Sequence, residues 1–596
     1  MFRSTVLCFA AFGGLALSAC TRQAPPAPET PAAEMPAETG NGAWRHGAMV
    51  AAADPRAVQA GLDVLERGGH AVDAAIAVHA VLGLVEPQSS GIGGGAFMLV
   101  YERESGKVRV YDGRETAPAA ADEGLFVVDD EVLGFVPAWQ SGRSVGVPGQ
   151  VALYKTAHDA HGRVEWSSLF SSAIELADSG FEVSPRLAGL LANPRLRMAA
   201  RLDDHPVSAA YFYPDGEPLA EGSVRRNPDY AQMLREIAEQ GPAAFYSGPR
   251  AEAIVAAVSE EPLPGSMTLE DLASYTVIER PALCGEFRTW RICSAPPPSS
   301  GGVVQPMILG LYDRLSENGG EADREALVRH WVDAQRLTYA DRDHYVADAD
   351  FVPVPANDLV HPTYLDARAK QVFAPGEKPV PGDPGEVLGR GPMIDLWGRD
   401  TSDDAPGTTH ISIIDADGNA VSMTATVESA FGNSRMVDGF LLNNELTDFA
   451  RQPDIDGLPV ANAPAGGKRP RSSMSPTFVF NADGTLAMVT GSPGGNSIVA
   501  YVSKSLVGVL DWDLSAQEAV ALPNIVARGE TVRVETDVAM GPEWAEMLSD
   551  AGYDVRESAG ENSGLHVIVV RESGLDGGAD PRREGVARKL ENGSAD

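Results

Sequence analysis

Two helical patterns open the folded body. Residues 57–85 carry apolar positions at helical spacing, broken once at Gly68-Gly69. The second stretch, 71–85, is apolar almost all round, which predicts a helix buried on every side. Glu86 to Gly95 follows as a glycine-rich loop. Behind it lie an apolar run at 96–101, a turn near Ser105-Gly106 and an alternating run at 107–111, the pattern of a β-hairpin. Glycines 91 and 93–95 make no dinucleotide fingerprint. That motif runs strand, glycines, helix, and here the glycines lead into a strand.

Helical stretches at 164–176, 230–240 and 325–340 alternate with turn-rich segments, and Pro296-Pro-Pro-Ser-Ser-Gly-Gly302 is a rigid bend ahead of another apolar helix. Residues 375–407 are dense in Gly, Pro and Asp and predict a long mobile connector. Beyond them the period changes to two. Residues 409–414 alternate, 415–419 form a turn and 420–427 alternate again. A like hairpin spans 477–490 and ends in Gly491-Ser-Pro-Gly494-Gly495, after which 498–510 reads as a helix. No solenoid period appears.

Composition narrows the function. Hydrophobic residues make up 44% of 596, ample for a sizeable core. Lys and Arg number 47 against 83 Asp and Glu, a formal charge of −36 spread along the chain, which argues against nucleic acid as a partner. Past the first twenty residues no stretch approaches the roughly 18 apolar residues of a membrane span. At the N-terminus, Arg3 precedes an apolar run at 6–17 that ends in Leu17-Ser18-Ala19-Cys20. This looks like a bacterial lipobox, with an ordinary cleavage site as the alternative. The expectation is a signal peptide at 1–19, a lipid on Cys20 and a Pro/Ala/Glu-rich tether at 20–44. The protein would then be exported to the periplasm and meet a membrane only through that lipid. Cys284 and Cys293 either close a hairpin as a disulfide or stay as buried thiols. No Cys or His stands at zinc-finger spacing and no His-Glu-x-x-His occurs, so no metal is expected.

The connector ends in Gly407, and Thr408-Thr409-His410 opens a strand. If the chain were cut between Gly407 and Thr408, Thr408 would carry a free α-amine beside its own hydroxyl. That amine, with an ordinary pKa of roughly 7.7–8.0, can take the hydroxyl proton near pH 7. Glycine before the cut offers no side chain to hinder attack on its carbonyl.

Thr408-Thr-His-Ile-Ser-Ile-Ile-Asp, Leu441-Leu-Asn-Asn-Glu445-Leu-Thr-Asp448-Phe, Arg469-Pro-Arg-Ser472-Ser473-Met-Ser-Pro and Gly491-Ser-Pro-Gly494-Gly495 resemble the γ-glutamyltransferase family. Upstream, Gly91-Ile-Gly-Gly-Gly-Ala-Phe-Met, Arg114-Glu-Thr-Ala-Pro118, Gly146-Val-Pro-Gly149 and the bend at 296–302 match as well, and Asp580-Pro-Arg-Arg closes the series. The resemblance implies an α/β N-terminal-nucleophile hydrolase, a four-layer α-β-β-α sandwich. It would be made as a proenzyme that cuts itself into a large chain, 45–407, and a small chain, 408–596, which stay together as a heterodimer.

Several roles come with the resemblance. Thr408 would be the nucleophile, and the Thr426 hydroxyl would help hold it and its amine. Arg114 would bind the α-carboxylate of a γ-glutamyl donor, helped by Ser472 and Ser473, and a planar guanidinium suits that carboxylate. Glu445 and Asp448 would recognise the α-ammonium. Glu428 stands where many members carry Asn and others Glu. Gly494-Gly495, just ahead of a helix, would aim N–H groups at the oxyanion. The implied cycle passes a γ-glutamyl group, for instance from glutathione, through a Thr408 ester to water or to an amino acid or dipeptide, with no cofactor. Residues 450–471 lack Phe, Tyr and Trp, which suggests an open pocket and substantial hydrolysis. Two competitors are a glutaryl or cephalosporin acylase of the same superfamily and a lipid-anchored binding protein with a dead site.

Overall fold

Strands in which every residue is buried serve two cores at once. Ala420–Thr426 sends Val421, Met423 and Ala425 into one apolar cluster and Ala420 into another. Gly95–Glu102 does the same, with Ala96, Met98 and Val100 on one side and Phe97, Leu99 and Tyr101 on the other. A period of two with both faces apolar requires a cover on each face of the sheet. The computed structural model supplies both covers. It describes residues 44–318, 323–371, 373–400, 402, 407–560 and 562–590. The expected signal peptide, Cys20 and all of the tether before Trp44 lie outside the described residues.

The first sheet has seven strands: β1 (Met49–Ala52), β2 (Gly95–Glu102), β3 (Lys107–Gly113), β4 (Ile278–Pro281), β5 (Thr408–Ile414), β6 (Ala420–Thr426) and β7 (Val586–Lys589), in the order β7-β1-β5-β6-β2-β3-β4. All its neighbours are antiparallel. The second sheet has six strands, in the order Gly574–Ala579, His566–Arg571, Leu486–Thr490, Thr477–Phe480, Trp290–Ser294, Leu283–Phe287. The inner faces meet across a partly polar seam. Ser412 Oγ donates to the carbonyl of His566 at 2.8 Å, and Ser422 Oγ donates to the carbonyl of Thr490 at 3.0 Å.

Helices α1 (Pro55–Glu66) and α2 (Ala71–Val85) cover the outer face of the first sheet. Asp54 caps α1 ahead of Pro55, and His70 with Asp73 forms a capping box on α2. Every residue of α2 is buried, as its apolar circumference predicts. Helix α3 (Gly301–Asn318) lies on the outer strands of the second sheet, with α4 (Arg324–Tyr345) and α5 (Ile498–Leu510) beside it. The result is four layers, α-β-β-α. Among the described residues no helix is long and apolar enough to cross a membrane.

Three local expectations resolve differently or further. The helix expected at 164–176 is a 3₁₀ turn, Trp166–Phe170, followed by the helix Ser171–Ser179. The connector is more ordered than its composition suggests. Asp383 caps the short helix Pro384–Val387 through one carboxylate oxygen, and its other oxygen accepts from Met393 N and Ile394 N. Gly398 N reaches the carbonyl of Pro459, and Asp400 is buried against Arg471 at 2.9 Å. Carboxylates satisfy the loop's amides, which composition alone does not reveal. Finally, a disulfide joins Cys284 to Cys293, which face each other across adjacent strands.

Candidate active site

Strand β5 begins at Thr408 and β6 ends at Thr426, and the register places the two residues directly opposite. Both side chains sit on the inter-sheet face at the rim of the sandwich, only 4% and 3% exposed. Their hydroxyls are 3.2 Å apart. Thr426 Oγ1 donates to the carbonyl of Gly407 at 2.8 Å and accepts from Glu428 N at 2.8 Å. Its single proton is therefore committed to Gly407, so the Thr408 hydroxyl is the donor between the two threonines. Glu428 reaches this position with a left-handed backbone, φ 76°, which is strained for a side chain of its size. Gly407 has no room for a side chain: a Cβ there would lie 2.3 Å from the carbonyl oxygen of Glu428 and 2.5 Å from the carbonyl carbon of Ser429.

The other end of the site is built around Arg114, which is 1% exposed. Its guanidinium pairs with Glu445 through Nη1 and with Asp448 through Nη2, while Nη2 also reaches the carbonyl of Arg471 at 2.9 Å. Burial alone would lower the Arg114 pKa, but Glu445 and Asp448 more than offset it and hold the guanidinium charged. Burial pushes Glu445 well above the usual carboxylate range against the pull of Arg114. Glu115 behind it rises to about 7 for the same reason. Glu428 accepts from Ser429 Oγ and Asn444 Nδ2. Ser472 Oγ accepts from Met474 N at 3.2 Å, and Ser473 Oγ accepts from Arg342 Nη2.

Gly494 and Gly495 precede α5 with φ of 136° and 55°, a conformation that suits glycine. Among the described residues neither N–H makes a backbone hydrogen bond. One pocket is lined by Arg114, Thr408, Thr426, Glu428, Glu445, Asp448, Ser472, Ser473 and Gly495. These are the residues singled out from sequence, save Gly494, which stands just behind. Met474 and Ile498 complete the lining. An acyl group bearing a carboxylate and an ammonium would find a fixed cation and three carboxylates at one end. The Thr408 hydroxyl and Gly495 stand at the other.

Sequence reasoning missed several contributors. Arg342, on α4, donates to Ser473, to Ser300 Oγ at 3.0 Å and to Asn496 Oδ1 at 3.1 Å. Asn444 holds Glu428. Arg583, in the Asp580-Pro-Arg-Arg segment, donates through Nη1 to the carbonyl of Thr408 at 3.0 Å. Asn444 and Arg583 lay within motifs singled out from the sequence, with no role assigned to either, whereas Arg342 carried no such signal.

Comparison with known proteins agrees with this geometry. A glutathione hydrolase proenzyme from Escherichia coli K12 is 34% identical over 544 residues, covering 90% of each chain. The protein of the same description from Bacillus subtilis 168 is 34% identical over 555 residues, covering 90% of this chain and 91% of its own. The solved structure of cephalosporin acylase from Bacillus halodurans superposes with a TM-score of 0.79 at 25% identity, over 94% of this chain and 99% of that one. The layered architecture is that of the N-terminal-nucleophile hydrolases. A family model described as gamma-glutamyltranspeptidase matches residues 57–590, and the chain belongs to that family.

Proposed function

We propose that this chain is the precursor of a γ-glutamyltransferase with glutathione hydrolase activity. The observation that carries the reading is one hydrogen-bond network: the Thr408 hydroxyl, the Thr426 hydroxyl and the carbonyl of Gly407 lie in sequence, 3.2 and 2.8 Å apart. In the precursor, Thr408 Oγ attacks the Gly407 carbonyl carbon and the carbon–nitrogen bond breaks, leaving an ester and a free Thr408 amine. Water then hydrolyses the ester, giving a large chain ending at Gly407 and a small chain beginning at Thr408. In the mature enzyme the amine takes the hydroxyl proton and Thr408 attacks the γ-carbonyl of the donor. Gly494 and Gly495 hold the oxyanion, and the amine of glutathione or of another γ-glutamyl compound leaves. Water, an amino acid or a dipeptide resolves the ester. Residues 450–471 bring no aromatic side chain to the site, which favours water.

Arg114, Ser472 and Ser473 are assigned to the donor α-carboxylate, and Glu445 and Asp448, with Glu428, to the α-ammonium. Those carboxylates weigh against the acylase reading, although an acylase is among the structures this chain resembles. A glutaryl group has no ammonium to meet them. Turnover of γ-glutamyl against glutaryl anilide separates the two readings. The lipid on Cys20, the tether and a periplasmic, membrane-attached location belong to the same proposal. Reading the internal N-terminus of purified protein by mass spectrometry tests the whole. Threonine 408 should be the first residue of a second chain, and Thr408→Ala should remain one inactive chain. A fully active, uncut chain would overturn the proposal, and an uncut, inactive parent would leave the lipid-anchored binding protein with a dead site as the reading.

A further inference from the structure

An N-terminal amine serves as a general base only while it is neutral, and its ordinary pKa of roughly 7.7–8.0 leaves most of it protonated at pH 7. A cation beside Thr408 would raise the neutral fraction there. The cation in direct contact with that residue is Arg583. The residue is 8% exposed, and among the described residues its guanidinium donates to main-chain carbonyls: Thr408 at 3.0 Å, Ser563 at 3.2 Å and Asn562 at 3.1 Å. Among the described residues no carboxylate pairs with it. Asp580 is committed to Arg582 at 3.0 Å. Glu86 faces it, but burial pushes the Glu86 carboxyl up, towards its neutral form.

We propose that Arg583 is a positioning residue which, through its bond to the Thr408 carbonyl, holds the α-amine freed by the cut in its neutral, proton-accepting state. The inference rests on the reading of Thr408 as the nucleophile. The carbonyl oxygen and the nitrogen of one residue are roughly 3 Å apart, so the bonded guanidinium nitrogen stands no more than about 6 Å from the amine. At an effective dielectric constant of about 20, a unit charge at that separation moves a proton equilibrium by roughly two pH units. Like charge acts against the ammonium form.

Other groups facing Thr408 and Arg583 modify the balance. Glu428, Glu445 and Asp448 line the same pocket and favour the ammonium, but Arg114 is bound to two of them. Arg342 adds a second cation at Ser473. His410 and His566, on the inter-sheet side, are kept neutral by burial. Tyr501 and Arg186 also face Arg583. Burial and Arg186 push Arg583 down to about 9, which leaves it charged at neutral pH.

The test is the pH dependence of kcat/KM for a γ-glutamyl anilide, since its acidic limb reports the base of the free enzyme. In Arg583→Gln the limb should move about two units towards alkaline pH. Activity at pH 6.5 then falls more than about tenfold, while the alkaline plateau stays within a few-fold of the parent. Arg583→Lys keeps the charge and should keep the limb within about 0.3 units. An unmoved limb in the Gln variant, with activity lower at every pH, would overturn the proposal in favour of a purely structural contact, as would a Lys variant that shifts as far as the Gln variant. A Gln variant that stays a single chain would overturn it too, because the assigned role begins only after the cut. A parent with no γ-glutamyl turnover would sink the functional reading instead, so the two failures are distinguishable.

Discussion

Replacing Thr426 with valine removes one hydroxyl and keeps the β-branched shape that the end of β6 accommodates. That hydroxyl makes three hydrogen bonds: it donates to Gly407 O at 2.8 Å and accepts from Glu428 N at 2.8 Å and from Thr408 Oγ1 at 3.2 Å. The first matters for the cut, since negative charge grows on the Gly407 oxygen as Thr408 attacks. Losing one such donor typically costs about 100- to 1,000-fold in rate. Here the bond already exists before the attack, so only its strengthening counts, and the lower end, about 100-fold, is expected. The second bond bears on stability, because valine leaves the buried Glu428 N–H without its acceptor at a cost of about 1–3 kcal/mol. Freshly translated precursor would be followed by densitometry of one-chain and two-chain bands on denaturing gels, with urea unfolding alongside. Thr426→Ser keeps the hydroxyl and should mature near the parental rate. A folded Thr426→Val precursor that matures within about threefold of the parent would refute the reasoning.

Three further perturbations have defined outcomes. Gly407→Ala places a Cβ 2.3 Å from the Glu428 oxygen, a clash with backbone that no side-chain rotation relieves, so the same gel assay should show maturation slowed at least about tenfold. Asp448→Asn removes a charge from the ammonium end and one of the two carboxylates on Arg114. KM for a γ-glutamyl anilide should rise about 10- to 100-fold, from a charge-assisted bond of roughly 1.5–3 kcal/mol, with little change for a glutaryl anilide. Burial pushes His566 down to about 3, against 6.5 in an unfolded chain. The folded state refuses a proton that the unfolded state accepts below pH 6.5. Stability is therefore lost as pH falls from 6.5 towards 3, at about 1.4 kcal/mol per unit. His566→Gln should abolish roughly 2 kcal/mol of the loss between pH 6.5 and 4.5, read from urea midpoints, and equal slopes in parent and variant would contradict it.

The hairpin of β5 and β6 was legible because its turn, Asp415-Ala-Asp-Gly-Asn419, separates two alternating runs that pair residue for residue. Helix α2 was legible from its unbroken apolar surface. The glycine loop was harder. Gly94 must be glycine because a Cβ would sit 1.9 Å from the carbonyl oxygen of Thr426, a neighbour more than three hundred residues away in the chain. The connector was misjudged for a related reason: Asp383 and Asp400 read as loop composition until their amide and arginine partners are in place. Arg342 and Arg583 look like any other arginines in the sequence, and only the fold brings them to Ser473 and Thr408. At the donor end the resemblance assigned Arg114 and the two acids to different ligand groups, and folding pairs them with each other.

The register that builds the core also determines where a cut is useful. Strand β5 is interior, paired with β6 along its length and with β1 over Ser412–Ile414. Severing the chain before its first residue removes none of those partners. A new chain end ordinarily frays, which would spend the advantage of a base and a nucleophile on one residue. Thr408 is instead buried, pinned opposite Thr426 by the ladder and held at its carbonyl by Arg583. A break in the 415–419 turn would release an amine at the start of β6, at the opposite end of the hairpin from Thr408. Fixing the terminus thus depends on strands from both sides of the cut, Gly95–Glu102 upstream and Ala420–Thr426 downstream. Cleavage must therefore follow folding, since the unfolded chain brings neither Thr426 nor Arg583 to Gly407.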